Sequence, residues 1–436
     1  MSDRTTNSIF SSGWGTVLAM AGVAIGLGNI WRFPYMMGRY GGSAFLVIYL
    51  VIVLAFGIPA LMSEWSLGRR TRRGPWGAFG AAGMPAGRLW SSMILVTVVM
   101  AASYYAVVIG WVLQEAMAFL HAAVSARSAV SFAELTAGIP RQLMATGVTV
   151  LMGCTIIAFG VRGGIERASR IVIPLFFILF VVLIVRVLTL DGARDGLREF
   201  LEPRWENFSF DTALAALGQA VFSLGLGGMF MVRYGSYMSK TDPIPRQAVI
   251  TAGADTGAAL MAGLIVVPAV FAFDLDLSAG PSLMFEVMPE VFARMPAGAW
   301  FGVVFFLSVF MVAMLSLIAA YEVIATTLEE SLAWSRRRSL LIIAVVEIAL
   351  ALPAYTVAGY IGTSDLIWGS TMQPLGAALA VIALTWCVGR AGTLEEMRSD
   401  SGPVVPVFLF YWIKYMIPAA ILFILVFGWV EWLSQR

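Results

Sequence analysis

The sequence predicts an all-α integral membrane protein with eleven transmembrane helices, and three observations carry that reading. First, 60% of the 436 residues are hydrophobic and only 12% are charged, with a mean hydropathy of +0.86. A soluble domain carries about 25% charged residues, so this chain has too little charge to wet a soluble surface. That excludes a soluble two-domain enzyme, and also nucleic-acid binding and intrinsic disorder, which need more charge. Second, eleven stretches are apolar over the ~20 residues that a bilayer demands. They lie near 13–38, 42–67, 90–120, 143–160, 169–189, 210–237, 247–273, 297–330, 340–357, 366–389 and 405–433. Third, the basic residues segregate. With the N-terminus inside, seventeen of the 28 Lys and Arg fall in the N-terminal tail and the loops after even-numbered segments, against nine in the opposite loops and the C-terminus. Short cytoplasmic loops carry such an excess, and an odd number of crossings then puts the C-terminus outside.

The elements follow in order. The first dozen residues are polar and precede no cleavable apolar core, so no signal peptide is expected. Segments three, eight and eleven exceed the bilayer thickness and should tilt or protrude. Two long outer loops, near 190–209 and 274–296, are expected. The second has apolar residues at helical spacing over 278–300, which suggests a short helical cap over an outer vestibule. Cys154 and Cys387 sit in apolar runs and cannot form a disulfide framework or metal motif. The single histidine, His121, ends an apolar run and reads as an interfacial residue.

Segments one and six are unusual. Glycine in a membrane helix ordinarily means close helix packing. Here AGVAIGLGNIWRFP holds Gly22, Gly26 and Gly28 beside Asn29, and GQAVFSLGLGGMF holds Gly218, Gly225, Gly227 and Gly228 beside Gln219 and Ser223. These are corresponding positions of two five-helix halves, 13–189 and 210–389, with 405–433 as an extra helix. Breaks in matching helices of two repeats point to a transporter's binding site. A break frees backbone groups that lipid cannot satisfy. A cation can satisfy the carbonyls, and an anionic group can satisfy the N–H groups at the positive helix end. The pattern suits a zwitterion bound together with a small cation.

AGVAIGLGNIWRFPY followed by Gly41–Gly42 resembles the neurotransmitter:sodium symporter family. GIPALMSEWSLGR, the SYY of segment three, GQAVFSLGLG and GPSLMFEVMPEVFARMP add to the likeness, which spans essentially the whole chain. The eleven-helix count is similar to the prokaryotic branch, with the bacterial leucine and hydrophobic amino acid transporters as types. The resemblance implies the 5+5 inverted-repeat fold of the leucine transporter, with segments one and six broken, in a bacterial cytoplasmic membrane. It implies sodium-coupled symport of an amino acid by alternating access.

Carried over residue by residue, the resemblance implies a first sodium site at Ala24 (carbonyl), Asn29, Ser223 and Asp255, where most members have Asn for Asp255. Oxygen ligands of this kind suit a hard cation. The family serine that holds chloride falls on Ala259, while Asp255 already supplies a negative charge, so no chloride is expected. The plainer reading of Asp255 is a residue paired to a helix neighbour. A second sodium site would use the carbonyls of Gly22, Ile25 and Val312 and the Ser316 hydroxyl. The family's other oxygen there falls on Leu315, which has none, so one sodium or two stays open.

The substrate carboxylate would meet the N–H groups of Leu27 and Gly28, the first sodium and the Tyr105 hydroxyl. The amino group would meet carbonyls near Ala24, Phe222 and Ser223, with Tyr105 and Phe222 as a lid. The side-chain pocket would be bounded by Val23, Ala101, Gly225, Gly228, Ser316 and Ala320. Ala101, Gly228 and Ala320 are smaller than in the leucine transporter, and the freed volume favours a bulky apolar or aromatic amino acid. A small substrate would need Met229 or another side chain to fold in.

For gates, the resemblance pairs Arg32 with Asp365 outside. Their plainer readings are headgroup contact and helix capping. Inside it keeps Tyr237 and Glu330, but the arginine and tryptophan positions hold Asn7 and Phe10, with Arg4 as a possible substitute. Gly164 and Pro174 match a helix-five motif whose unwinding opens the inner path. Glu64 would brace the breaks, while Glu115, Glu322 and Glu347 take no role from the family, and proton coupling stays open for them. The same fold also admits altered coupling by one sodium or a proton, a different small amine or amino acid as substrate, or a sensor that binds without transporting. An enzyme is not expected: no HExxH, Ser–His or Cys–His arrangement and no GxxxxGK[ST] occurs.

Overall fold

A computed structural model describes residues 10–125, 130–280, 282–398 and 405–434. Among the described residues every regular element is helical. Among the described residues nine helices are long and apolar enough to cross a bilayer, and a bent pair, counted as one span, makes a tenth. The bent pair is α1 (Gly13–Ala24) and α2 (Gly28–Arg39), which meet at 54°. Then follow α3 (Ser43–Thr71), α4 (Gly87–Ser125), α5 (Ile139–Ala158) and α6 (Val161–Leu188). The stretch expected as one crossing at 210–237 folds as two short pieces, α7 (Phe210–Ser223) and α8 (Phe230–Gly235). After it come α9 (Ile244–Ala272), a short cap α10 (Met288–Arg294), α11 (Gly298–Leu332), α12 (Arg336–Thr356), α13 (Tyr360–Met397) and α14 (Val407–Val430).

Hydrophobicity all round explains why these helices bury against one another without a soluble-type polar face. The interrupted pieces lie in the interior, and α4 and α11 pack along each other. The lipid-facing surface is carried by outer helices, with exposed Ile171, Ile178, Val185, Val345 and Val430. The cap expected over 278–300 is present. Leu283, Met284 and Phe285 are buried just before α10, as are Val291 and Phe292 within it.

Candidate functional site

The break between α1 and α2 is built by redirected backbone bonds. In an intact helix the Gly26 N–H would bond the Gly22 carbonyl. Here it donates to Asn29 Oδ1 at 2.9 Å. The next N–H, of Leu27, faces the Tyr105 hydroxyl at 3.5 Å instead of the Val23 carbonyl. Glycine is required at 26: a Cβ there would lie 2.9 Å from Ser316 Oγ and 3.0 Å from Tyr105 Oη. The Ser316 hydroxyl reaches the freed carbonyls of Val23 (3.1 Å) and Ile25 (3.3 Å).

The second break, between α7 and α8, is held from outside itself. The Gly227 N–H donates to Glu64 Oε1 at 2.8 Å, which gives Glu64 the bracing part expected of it. Gln219 Nε2 donates to the Gly28 carbonyl at 2.8 Å and so joins the two breaks. Gly227 has φ +89°, and a Cβ there would overlap the backbone of Gln373 on α13, so α13 touches the break main chain to main chain. Met229 takes a left-handed conformation (φ 59°) and starts α8.

Between the breaks lies an oxygen cluster. The Asn29 amide Nδ2 donates to Ser223 Oγ (2.9 Å), Asp255 Oδ1 (2.7 Å) and the Asp255 carbonyl (2.9 Å). Ser223 Oγ donates to Asp255 Oδ2 at 2.9 Å, and the Tyr49 hydroxyl approaches the same oxygen at 3.5 Å. Asn29, Ser223 and Asp255 are all buried. Hydroxyl, carboxylate and carbonyl oxygens converge there on the Asn29 amide nitrogen, and such oxygens without sulfur or imidazole suit a hard cation rather than a transition metal. The Asp255 carboxylate bonds residues of other helices, Asn29, Ser223 and Tyr49. Its carboxylate sits where Tyr49 and Ser223 point, and Ala259 is a buried alanine with no polar group to offer.

Of the four residues expected at a second site, Ser316 reaches the Ile25 carbonyl at the same break, Gly22 faces an apolar wall, and Val312 is buried in α11. A Cβ on Gly22 would lie 2.9 Å from Leu315 Cδ1 and 3.0 Å from Ser169 Oγ. Leu315 therefore faces the break and contributes no oxygen.

Above the breaks opens a cavity of about 430 Å³. Val23, Ala24, Leu27, Gly28, Ala101, Tyr105, Phe222, Ser223, Gly225, Ser316 and Ala320 line it, as do Trp31, Tyr104, Trp111, Phe132, Phe230, Phe285 and Asp365. Gly228 is the exception. A Cβ on Gly228 would run into the Phe230 ring, and Phe230 takes the wall in its place. The volume that sequence reasoning left open at Gly228 is partly filled by an aromatic ring. Sequence reasoning missed Phe230 because it lies two residues beyond the glycine and enters only through the sharp restart of α8.

Arg32 and Asp365 both reach the cavity but not each other. The Arg32 guanidinium sits over the Phe222 ring, 4.5 Å from its centroid. Asp365 accepts from Tyr104 at 3.1 Å and from Ser370 at 3.4 Å. The cavity mouth is therefore not closed by this pair.

The opposite end is closed by charge. Glu330 lies 3.4 Å from Arg233 and accepts the Gly74 N–H at 2.9 Å. The Tyr237 hydroxyl bonds Glu322. Arg4 and Asn7 lie outside the described residues, and Phe10 packs edge-on against Tyr234 and Tyr237. Sequence reasoning left Glu322 without a part, and the structure gives it three partners: Tyr237, Arg233 and Arg336. Glu115 and Glu347 are buried and each carries one carboxylate oxygen without a hydrogen bond among the described residues. Gly164 lies in a widened turn (Val161–Glu166), where a Cβ would overlap the Ile156 carbonyl, and Pro174 stands inside the following helix.

Interrupted helices that meet around an oxygen cluster, beneath a cavity open at one end and shut by charge at the other, define a membrane transporter. The chain belongs to the sodium:neurotransmitter symporter family, which it matches over residues 8–127 and 131–436. It is 33% identical to an uncharacterised sodium-dependent transporter of Bacillus subtilis (strain 168), over 94% of this chain and 95% of that one. It is 28% identical to an uncharacterised sodium-dependent transporter of Methanocaldococcus jannaschii, over 93% and 86%. Among solved structures it is similar to MhsT in complex with L-phenylalanine, with a TM-score of 0.86 and 31% identity over 96% of this chain and 99% of that one.

Proposed function

We propose that this protein couples inward movement of sodium to uptake of a bulky apolar or aromatic amino acid, by alternating access and without chloride. The observation that carries the reading is the pair of breaks. N–H groups and carbonyls released from the helical ladder are held by side chains around a buried oxygen cluster at the floor of an apolar cavity. A carboxylate would lie between the Leu27 and Gly28 N–H groups and the Tyr105 hydroxyl. A sodium ion in the place now held by the Asn29 amide nitrogen would join that carboxylate to Ser223 and Asp255, after rotation of the amide. Arg32 and Asp365 would close the mouth after binding, at small cost, because exposed pairs are weak. The sodium dependence in the names of relatives and the phenylalanine bound to MhsT support this substrate class.

Asp255 provides the fixed negative charge that a chloride would otherwise bring. Leu315 at the second cluster favours coupling to one sodium. In this reading 210–237 is a sixth crossing, 13–189 and 210–389 are inverted repeats, the N-terminus is cytoplasmic, and the setting is a bacterial inner membrane. The test is uptake in proteoliposomes over a panel of amino acids, with sodium or potassium outside and with chloride or gluconate. Uptake of aromatic or large aliphatic amino acids that needs sodium and ignores chloride is expected. Uptake indifferent to sodium defeats the ion assignment, and failure of every amino acid to bind defeats the substrate class.

A further inference from the structure

The seam between α13 and α14 holds a cation that no acid answers. α14 runs from Val407 to Val430, and Lys414 stands two turns inside it, ~10 Å along the axis from the first residue. Its ammonium lies 4.3 Å from the centroid of the Trp386 ring of α13, and 5.6 and 5.8 Å from the Tyr415 and Phe410 rings. The acids of this end are taken elsewhere: Glu395 lies 3.6 Å from Arg70, and Glu396 lies 2.6 Å from Arg69. Among the described residues the three donors of the ammonium meet no oxygen. Ring faces offset part of the cost of a charge at membrane depth, but they bring no counter-charge.

The rings form an open shelf rather than a piece of core. Trp386 is 55% exposed, and Tyr411 and Tyr415 are exposed as well. Trp386 meets Tyr415 edge-on, and Tyr411 stacks parallel to Tyr415. Tryptophan and tyrosine with one apolar and one wet side belong at headgroup level. From this shelf toward the far leaflet, Tyr415, Ala419, Leu422 and Val426 recur at helical spacing and are all exposed. Toward water the chain turns at Gly389 (φ +81°), and Gly389–Met397 packs against Val407–Tyr411. Arg390 follows that turn, exposed and without an ion pair among the described residues. Along the seam the order is thus a cation near water, an aromatic shelf with a second cation, and an apolar track.

We propose that this seam is a binding site for an anionic phospholipid, with the lipid phosphate on the Lys414 ammonium and one acyl chain along the α14 track. Basic pockets between membrane helices take such headgroups. Depth argues for a lipid over a free phosphate, which would have to leave water to reach Lys414, whereas a lipid brings its phosphate to the interface already tethered to the apolar part. A second copy of the chain is a poorer match. Among the described residues its acids at membrane depth, Glu64, Glu115, Asp255, Glu322 and Glu347, are buried in its own interior, so it has none to offer. The site asks nothing of the transport cycle, and its test reads lipid rather than uptake.

The experiment is native mass spectrometry of the full-length protein, stripped of lipid and then equilibrated in detergent with equal amounts of dioleoyl phosphatidylglycerol and dioleoyl phosphatidylcholine. Phosphatidylglycerol is expected to stay bound in preference to phosphatidylcholine. Lys414→Gln should lower that preference about fivefold, the weight of one basic residue at an anionic lipid, while Lys414→Arg should keep it within about twofold of the parent. Arg88→Gln, which removes another exposed arginine from the same end at the start of α4, should leave the preference unchanged. Thermal unfolding in the same mixtures gives a second readout: phosphatidylglycerol should raise the Tm of the parent and of Lys414→Arg more than that of Lys414→Gln. Equal retention of the two lipids, a preference that survives Lys414→Gln, or an equal drop in Arg88→Gln overturns the proposal. So does displacement of the lipid by excess inorganic phosphate, which would make this a site for the free anion. Dimers that dissociate in Lys414→Gln with lipid binding unchanged would overturn it too, and would give the seam to a second copy.

Discussion

At the scale of single residues, three positions carry most of what sets this chain apart. Asp255 gathers Asn29, Ser223 and Tyr49 around one carboxylate. Asp255→Asn keeps the shape but removes the acidic side chain of that cluster, so sodium has no fixed counter-charge there. Half-saturating sodium is expected to rise about tenfold or more, equivalent to ~1.4 kcal/mol. Adding Ala259→Ser should make the remaining uptake respond to chloride. Sodium affinity that does not change in Asp255→Asn would show that the carboxylate is only a packing partner. Leu315 lies against Gly22, and Leu315→Thr should return an oxygen to the second cluster and raise the Hill coefficient for sodium. An unchanged coefficient would contradict the assignment of that cluster as a lost ion site. Phe230 narrows the cavity wall beside Gly228. Phe230→Ala should shift preference toward the largest side chains, tryptophan over leucine, by about tenfold, as read from competition against a labelled substrate. These residues were unequally legible. Asn29 and Ser223 stand in dense glycine-and-polar runs that no lipid-facing helix needs, while Asp255 was reached only through the family resemblance. Phe230 looks like any apolar membrane residue until the backbone of Gly227 to Met229 is known.

At the scale of elements, the breaks were legible because glycines and polar groups interrupt an apolar run at matching places. The restraints across them were not, because they come from far along the chain: Glu64 to Gly227, Gln219 to Gly28, and the backbone of α13 against Gly227. The charged closure was hidden for a related reason. Arg336 reads as one of three arginines fixing topology, and Glu322 as one more acid in a long helix. Only folding brings α8, α11 and α12 to one point. In α6 the widened turn at Val161–Glu166 and Pro174 leave the ladder weak on both sides of Arg167. Proline removes one backbone bond and clashes with the preceding turn, worth ~3 kcal/mol in a helix interior. Pro174→Ala should stiffen α6 and slow turnover about threefold or more if unwinding there limits the cycle. Sodium and amino acid binding, measured without transport, should stay as in the parent. A variant that binds weakly but turns over at the native rate would rule out a hinge at this proline.

At the scale of the whole molecule, the number of crossings decides which side each terminus occupies. Among the described residues nine long apolar helices and the α1–α2 pair make ten, which alone would return both termini to one side. An eleventh crossing requires α7 and α8 to traverse together although neither is long enough alone. Their ends favour that. Phe210 at the start of α7 packs on Phe423 and Phe427 of α14. Arg233 in α8 meets Glu330 at the far end of α11, beside the Gly74 N–H. The unwound stretch between them does not present bare backbone to lipid, because Glu64 bonds Gly227 and α13 covers it. This is the condition under which irregular backbone is tolerated at membrane depth. With the bias of Lys and Arg toward one set of loops, the orientation proposed above has the N-terminus inside and the C-terminus outside. Alkaline phosphatase fused after residue 434 should therefore be active in intact bacterial cells, while a green fluorescent protein at the same point should be dark. The same two reporters ahead of residue 10 should behave the opposite way. Matching behaviour at both ends would reduce 210–237 to a re-entrant pair and would take the sixth crossing, and with it the inverted repeat, out of the fold.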